Sequence, residues 1–236
     1  MYRSLAPDQI IQTIEQLRDR IGERFPKANL YKVAEEFLRV AREAAERATQ
    51  IGKPFIPLRI GIALLLLVFF AVIIEILVSL PVGKGFNSLP EFIQAIEASF
   101  NVIILLSGGI YFLVSLETRI KRTRALKMIH ELRALAHIVD VHQLTKDPER
   151  LQGRGRSTSS SPARTMNRFE LSRYLDYCSE MLSLMGKIAA LYAQYFNDAV
   201  VLNAVDDIED LTTGLSQKIW QKITILNQTG SAPPFE

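Results

Sequence analysis

An unbroken apolar run in the first third of the chain constrains the fold more than any other sequence feature. The segment Ile60–Leu80 is 21 residues long, and its one charged residue is Glu75. At 1.5 Å per residue, a helix of this length covers roughly 30 Å, the thickness of the hydrocarbon core of a bilayer. We therefore expect this segment to cross a membrane as a helix.

A second apolar segment, Ala98–Leu116, has 19 residues and no charged side chain. Taken alone, it is also compatible with a helix buried in a soluble core. Two such segments joined by a short connection are typical of a helical hairpin in a membrane, because a helix satisfies its backbone hydrogen bonds internally. We predict a two-span transmembrane helical hairpin over residues 57–117, with the connection as its outer loop.

Basic residues are concentrated on one side of this predicted hairpin. They are Arg42, Arg47, Lys53 and Arg59 before the first segment, and Arg119, Lys121, Arg122, Arg124 and Lys127 after the second. The outer loop, Pro81–Glu97, contains a single basic residue, Lys84. Because positive charge marks the cytoplasmic side of membrane proteins, we expect an integral membrane protein with both termini cytoplasmic, in the inner or plasma membrane if the source is bacterial.

Five of these basic side chains lie close enough to the predicted spans to contact lipid headgroups: Arg59, Arg119, Lys121, Arg122 and Arg124. Each lysine or arginine beside anionic headgroups contributes about 1 kcal/mol to membrane binding. The lipid bilayer is therefore an expected partner. It also accounts for the basic clusters, so we expect no nucleic-acid partner.

The rest of the sequence predicts an all-α fold, because no strand-like alternation appears in it. Helices are expected over residues 1–56, 118–144 and 167–228, and the N- and C-terminal helices are expected to form a cytoplasmic bundle. In the C-terminal helical pair, apolar residues repeat at the alternating spacings of four and three that are typical of coiled coils. Since no proline or glycine occurs between Gly109 and Pro148, the second span is expected to continue as one helix to Leu144.

Two segments are expected to lack regular structure. Residues 145–166 are rich in glycine, serine, proline and arginine, a composition that favours a flexible linker. Residues 229–236 are expected to form a disordered tail.

Polar and small residues within the predicted spans are the candidate functional residues. Glu75 is ionisable, and Asn101 and Ser107 are the polar residues expected nearest to it in an antiparallel hairpin. One interpretation is a hydrogen bond that fixes helix packing; the other is a pore-lining or proton-carrying role for Glu75. Gly108 and Gly109 are expected to allow close helix packing.

Catalytic and metal sites are not indicated by the sequence. His130 and His137 are seven residues apart, two helical turns, which is too far for one metal ion without a second helix. The single cysteine, Cys178, lies in an apolar stripe, where a core role is expected. Nucleophile, phosphate-binding and dinucleotide motifs are absent from the sequence. We therefore expect no metal, no cofactor and no enzymatic activity.

Two functions remain open at this point. The first is a non-enzymatic, homo-oligomeric membrane scaffold or adaptor that works through its cytoplasmic helical bundle and docks a cytoplasmic protein partner. The alternative is an oligomeric ion channel or pore-forming effector in which Glu75 lines the membrane path.

Overall fold

The computed structural model describes residues 4–79, 89–148, 159 and 166–228, and its regular elements in those ranges are α-helices. In chain order they are α1 (Pro7–Arg24), α2 (Asn29–Ile51), α3 (Ile56–Ser79), α4 (Leu89–Leu144), α5 (Arg168–Tyr195) and α6 (Ala199–Gln228). The all-α prediction is confirmed. Residue 80 at the end of the predicted first span, residues 81–88 of the predicted outer loop, most of the predicted linker and the predicted tail lie outside the described residues.

The chain divides into two compact units. Unit 1 contains Met1–Gly52 and Arg124–Glu236, and unit 2 contains Lys53–Thr123. Among the described residues, every buried apolar side chain belongs to unit 1. Unit 1 therefore has a hydrophobic core of its own, and we describe the two units separately.

Helices α1 and α2 form an antiparallel pair in unit 1. Helix α1 begins at Pro7, which suits the first helical turn because its backbone lacks an N–H group. Its buried stripe is Ile10, Ile14, Leu17 and Ile21, spaced at three and four residues as expected for one helix face. Gly22 allows the close approach of α2, because a Cβ atom there would lie 2.7 Å from the Tyr31 ring.

Helices α5 and α6, together with the part of α4 that belongs to unit 1, supply the rest of this core. Their buried residues follow the coiled-coil spacing, and on α5 the stripe includes Tyr174, Cys178, Met181 and Met185. The Cβ position of Gly186 lies 3.4 Å from the Thr212 hydroxyl of α6. This small residue lets the two helices pack closely.

Polar contacts connect the helices of unit 1 across this apolar core. The buried Tyr192 hydroxyl donates to the carbonyl of Ala44 at 3.0 Å, which joins α5 to α2. The Lys222 ammonium donates to the side-chain oxygen of buried Gln143 at 2.7 Å, which joins α6 to α4. Each hydrogen bond gives a partner to a polar group whose burial without one would cost free energy.

Helix α4 is continuous from Leu89 to Leu144, as the lack of helix-breaking residues predicted. It begins earlier than the second apolar segment and includes residues 89–97, which the sequence assigned to the outer loop. The chain leaves unit 1 and returns to it at the same end, because Arg47 near the end of α2 hydrogen-bonds Met128 in α4.

Candidate functional site

The apolar side chains of unit 2 lie on its surface. Leu67 of α3 is 65% exposed and Leu105 of α4 is 75% exposed. Both helices are long and apolar enough to cross a membrane, and none of the most apolar stretch of either is buried within the structure. A helix of this composition in a soluble protein would be mostly covered by its own core.

Half-buried side chains trace one face on each of these two helices. They include Leu58, Ile62, Leu66, Phe69 and Ile73 on α3, and Leu106, Ile110, Leu113 and Glu117 on α4, where Ser115 and Leu116 are also half-buried. The spacings of three and four residues place each set on a single helix face. We call these two faces the hairpin seam, because they are the more covered faces of α3 and α4 in unit 2.

A polar cluster lies at one end of the hairpin seam. The Glu117 carboxylate accepts hydrogen bonds from Arg59 Nε at 2.7 Å and from the backbone N–H of Phe55 at 3.1 Å, and it forms an ion pair with Lys121 Nζ at 2.9 Å. Lys121 also donates to the carbonyl of Lys53 at 2.7 Å. We call Arg59, Glu117 and Lys121 the polar clamp. It ties the start of α3 to α4.

The electrostatics of the polar clamp follow from its hydrogen bonds. The hydrogen bond from Arg59 and then that from Lys121 lower the pKa of the Glu117 carboxyl to about 2, against the opposing effect of desolvation. The hydrogen bond to Glu117 in turn raises the pKa of Arg59. Glu117 is thus ionised at physiological pH, and its side chain is only 13% exposed.

The polar clamp sets the relative height of residues on the two antiparallel helices. Glu75 follows Arg59 by sixteen residues, and Asn101 precedes Glu117 by sixteen residues. At 1.5 Å per residue, each lies about 24 Å along its helix from the clamp. The two residues therefore lie at a similar distance from the polar clamp, and the expectation that Asn101 and Ser107 are the polar residues nearest to Glu75 stays a prediction.

Helical geometry places Glu75 and Asn101 away from half-buried side chains of α3 and α4. Glu75 is nine residues from Leu66 of the seam, and Asn101 is nine residues from Ile110 of the seam. Nine residues at 3.6 per turn is a rotation of about 180°. Both side chains are exposed, and their proximity to each other stays a prediction.

The predicted small-residue contact is open in this structure. A Cβ atom at Gly108 or Gly109 would have nothing within 4 Å, and Ser107 is exposed. Within the part of the chain that the structure describes, no other helix packs against these glycines. Their role in helix packing stays a prediction that applies to contacts between chains.

The five predicted headgroup-binding residues have different surroundings. Arg59 and Lys121 belong to the polar clamp, and the Arg119 guanidinium lies 5.3 Å from the centre of the Phe112 ring. Arg122 is half-buried and Arg124 is exposed. Headgroup binding by these residues stays a prediction. The sequence analysis missed Glu117, although an acid four residues before Lys121 in a basic segment indicated an ion pair.

The cysteine and histidine side chains of unit 1 lie in different surroundings. Cys178 is fully buried, and burial raises the pKa of its thiol to about 12. His130 and His137 are exposed, and His142 is half-buried. Among the described residues, no three histidine, cysteine, aspartate or glutamate side chains are arranged to hold a metal ion.

Unit 1 has a surface groove between α5 and α6. Its volume is about 740 Å³, and charged residues Glu180, Lys187 and Glu209 line it together with Trp220. Trp220 is 66% exposed. The sequence analysis did not single out this tryptophan, although it is the only one in the chain.

Comparison with known proteins identifies no relative. No protein-family model, curated protein or solved structure matches this chain.

Proposed function

We propose that this chain is an integral membrane protein whose hairpin of α3 and α4 anchors a cytoplasmic helical bundle, and that it acts without catalysis as a homo-oligomeric scaffold or adaptor. One observation carries the proposal. The most apolar helices of the chain are uncovered, while unit 1 buries a complete apolar core of its own.

A lipid bilayer is the environment that suits this distribution. In water, the exposed apolar surface of two such helices would be a strong aggregation liability. In hydrocarbon, the same surface is solvated by lipid tails, and the helical backbone leaves no unsatisfied polar groups. The polar clamp then lies at the cytoplasmic end of the hairpin, where Arg119, Arg122 and Arg124 add to the positive charge.

Membrane insertion and orientation are tested by cysteine labelling in closed vesicles or whole cells. In a Cys178→Ser background, Asn87→Cys should react with an impermeant thiol reagent from outside, and Thr158→Cys should react only after permeabilisation. Each variant is thus the control for the reactivity of the other, because the two cysteines are expected on opposite sides of the membrane. The reverse pattern would refute the orientation, and extraction of the wild-type chain by alkaline carbonate would refute membrane insertion.

The scaffold role rests on the large share of the chain that forms the bundle and on self-association. Sedimentation or native mass measurement of the protein in nanodiscs should give a homo-oligomer at low protein concentration. A monomer under all conditions would contradict the homo-oligomeric part of the proposal. Capture of a cytoplasmic partner should require unit 1 and should survive substitutions within α3.

An oligomeric channel is the second candidate, and the exposure of the Glu75 side chain on α3 favours it. If Glu75 lines a wet path, Glu75→Gln should leave the oligomer intact and alter ion selectivity or its pH dependence. Wild-type protein in planar bilayers between pH 5 and pH 8 is the reference. A current that is unchanged in Glu75→Gln would exclude Glu75 from the path.

A further inference from the structure

We infer that the groove between α5 and α6 is a docking site for a basic helical segment of a protein partner, with Trp220 as its aromatic anchor. The inference rests on the proposed function, since an adaptor must hold its partner through unit 1. It goes beyond that function by naming the surface, the residues that recognise the partner and the charge that the partner must carry.

The length of the groove indicates an elongated occupant. Along α5 its lining extends from Arg173 to Lys187, which at 1.5 Å per residue is about 21 Å. Small residues of α5, Ser179, Ser183 and Gly186, lie between these two ends and leave the groove open. A segment of this length corresponds to about four turns of a helix, and a helix laid into a groove is a common mode of peptide recognition.

The register of α5 and α6 places Trp220 beside two carboxylates. The helices follow each other across a short connection and are antiparallel, and Gly186 of α5 lies against Thr212 of α6. Trp220 comes eight residues after Thr212, so it is level with the residue eight before Gly186. Asp176 and Glu180 line the groove about 3 Å to either side of that level.

The carboxylates that line the groove outnumber its cations. They are Asp176, Glu180 and Glu209, and the cations are Arg173 and Lys187. Burial raises the pKa of Asp176, Arg173 opposes this rise and Glu180 adds to it. Glu209 is exposed, and within the part of the chain that the structure describes it has no ion pair. A cationic occupant therefore complements the groove.

Two of these carboxylates already have a cation on one side. Arg20 of α1 donates to Glu180 at 2.6 Å, and Arg173 lies 3.6 Å from Asp176. Both pairs are partly exposed, and ion pairs of this kind contribute little free energy. Each carboxylate has two oxygens with several acceptor positions, so a second cation can bind without displacing the first.

Trp220 supplies the aromatic wall that an incoming cation can contact. Its side chain is 66% exposed, and the indole ring is the strongest aromatic partner of arginine and lysine. Glu209 lies eleven residues before Trp220, which is three turns along the same face of α6. A helix with two basic residues about eleven positions apart would place one against Trp220 and the other against Glu209.

Intrinsic fluorescence tests the site directly, because Trp220 is the only tryptophan in the chain. The full chain in detergent micelles is titrated with a synthetic alanine-rich helical peptide that carries two arginines eleven positions apart. The control peptide has glutamates at the same two positions. We expect a saturable change in the Trp220 emission with the arginine peptide and none with the glutamate peptide. High salt should weaken the binding, because it screens exposed charges.

Substitutions locate the bound peptide. Its affinity is followed by the fluorescence anisotropy of a labelled copy, which does not need the tryptophan. Trp220→Ala should weaken binding about tenfold or more, as for an interface anchor. Thr213→Arg should do the same, since Thr213 is an exposed groove residue and the new side chain occupies the groove. Glu209→Gln should have a smaller effect. Asp207→Asn is the matched control, an exposed acid of α6 that does not line the groove.

Three outcomes overturn the inference. They are an unchanged Trp220 emission, equal binding of the two peptides, and equal losses for Glu209→Gln and Asp207→Asn. Each leaves the homo-oligomeric scaffold intact. Dissociation of the oligomer by Trp220→Ala would show that a second copy occupies the groove, which also overturns the inference. Failure of the proposed function is seen separately, as wild-type protein that stays monomeric in nanodiscs, and that measurement does not involve the peptide.

Discussion

At the scale of single residues, Glu117 shows how position changes the role of a charge. It is one acid in a segment dominated by arginine and lysine, and the sequence analysis assigned those basic residues to lipid headgroups. In the structure, Glu117 engages two of them, Arg59 and Lys121. Charge composition predicted the basic segment, but it does not specify which cations pair within the chain.

Replacement of this acid should loosen the base of the hairpin. We expect Glu117→Gln to lower the free energy of unfolding by about 1–2 kcal/mol, since hydrogen bonds to a charged group are lost and the exposure of Arg59 limits the loss. Thermal unfolding of both proteins in the same detergent measures the difference. Glu97→Gln, an exposed acid on the same helix, is the control and should change little.

The effect of Glu117→Gln should also depend on pH. The carboxyl has a pKa of about 2 in the folded protein and about 4.3 when unfolded. A lowered pKa stabilises the folded state at pH values above the unfolded pKa, and this stabilisation is lost as the pH falls toward the folded pKa. The difference between wild type and variant should therefore be constant from pH 6 to pH 8 and shrink below pH 4. A constant difference down to pH 2 would contradict the ion-pair explanation.

The buried thiol of Cys178 should be unreactive in the native protein. It is completely inaccessible, its pKa is about 12, and the thiolate is the reactive form. A thiol reagent at pH 8 should label one cysteine per chain after denaturation and essentially none before it. Rapid labelling of the folded protein would show that α5 opens readily from the bundle.

At the scale of helices, apolar periodicity predicted the C-terminal pair closely. The expected region was 167–228, and α5 and α6 together run from Arg168 to Gln228. The stripe that starts at Tyr174 is buried, although Tyr195 at its end is only half-buried. The start of α4 was harder to predict. Residues 89–97 are amphipathic, and their apolar pattern is the same whether they form a separate turn or the first turns of the helix.

Helix α5 begins with a capping box that gives a direct test of this boundary. The Asn167 side chain accepts from the N–H of Glu170 at 2.9 Å, and the Glu170 carboxylate accepts from the N–H of Asn167 at 2.8 Å. We expect Asn167→Ala to cost about 1 kcal/mol of stability and Asn167→Asp to cost much less. This corresponds to a fall in Tm of about 2–4 °C for a protein of this size.

The control for the capping prediction is the same substitution away from a helix end. Asn203 is exposed within α6, where alanine is the better helix former. Asn203→Ala should leave the Tm unchanged or raise it slightly. Equal losses for Asn167→Ala and Asn203→Ala would show that the capping box contributes nothing specific.

At the scale of the whole molecule, the sequence predicted which segments are apolar but not how distant helices combine. The bundle core needs residues from both ends of the chain, as in the hydrogen bond between Tyr192 and Ala44. Periodicity identifies the buried face of each helix and carries no information about its partner.

The division into two units predicts that the helices of unit 1 fold without unit 2. Every described buried apolar residue lies in unit 1, and the chain leaves and returns to unit 1 at one end, where Arg47 contacts Met128. Replacing residues 53–123 with a short Gly/Ser linker removes the exposed apolar helices and cuts no part of this core. We expect a protein that is soluble without detergent, helical by circular dichroism and cooperative in thermal unfolding, whereas the full chain needs detergent or lipid. The linker itself should not destabilise the protein, because a short loop closes at small entropic cost. Aggregation of the shortened protein would therefore mean that the helices of unit 1 need unit 2 in order to pack.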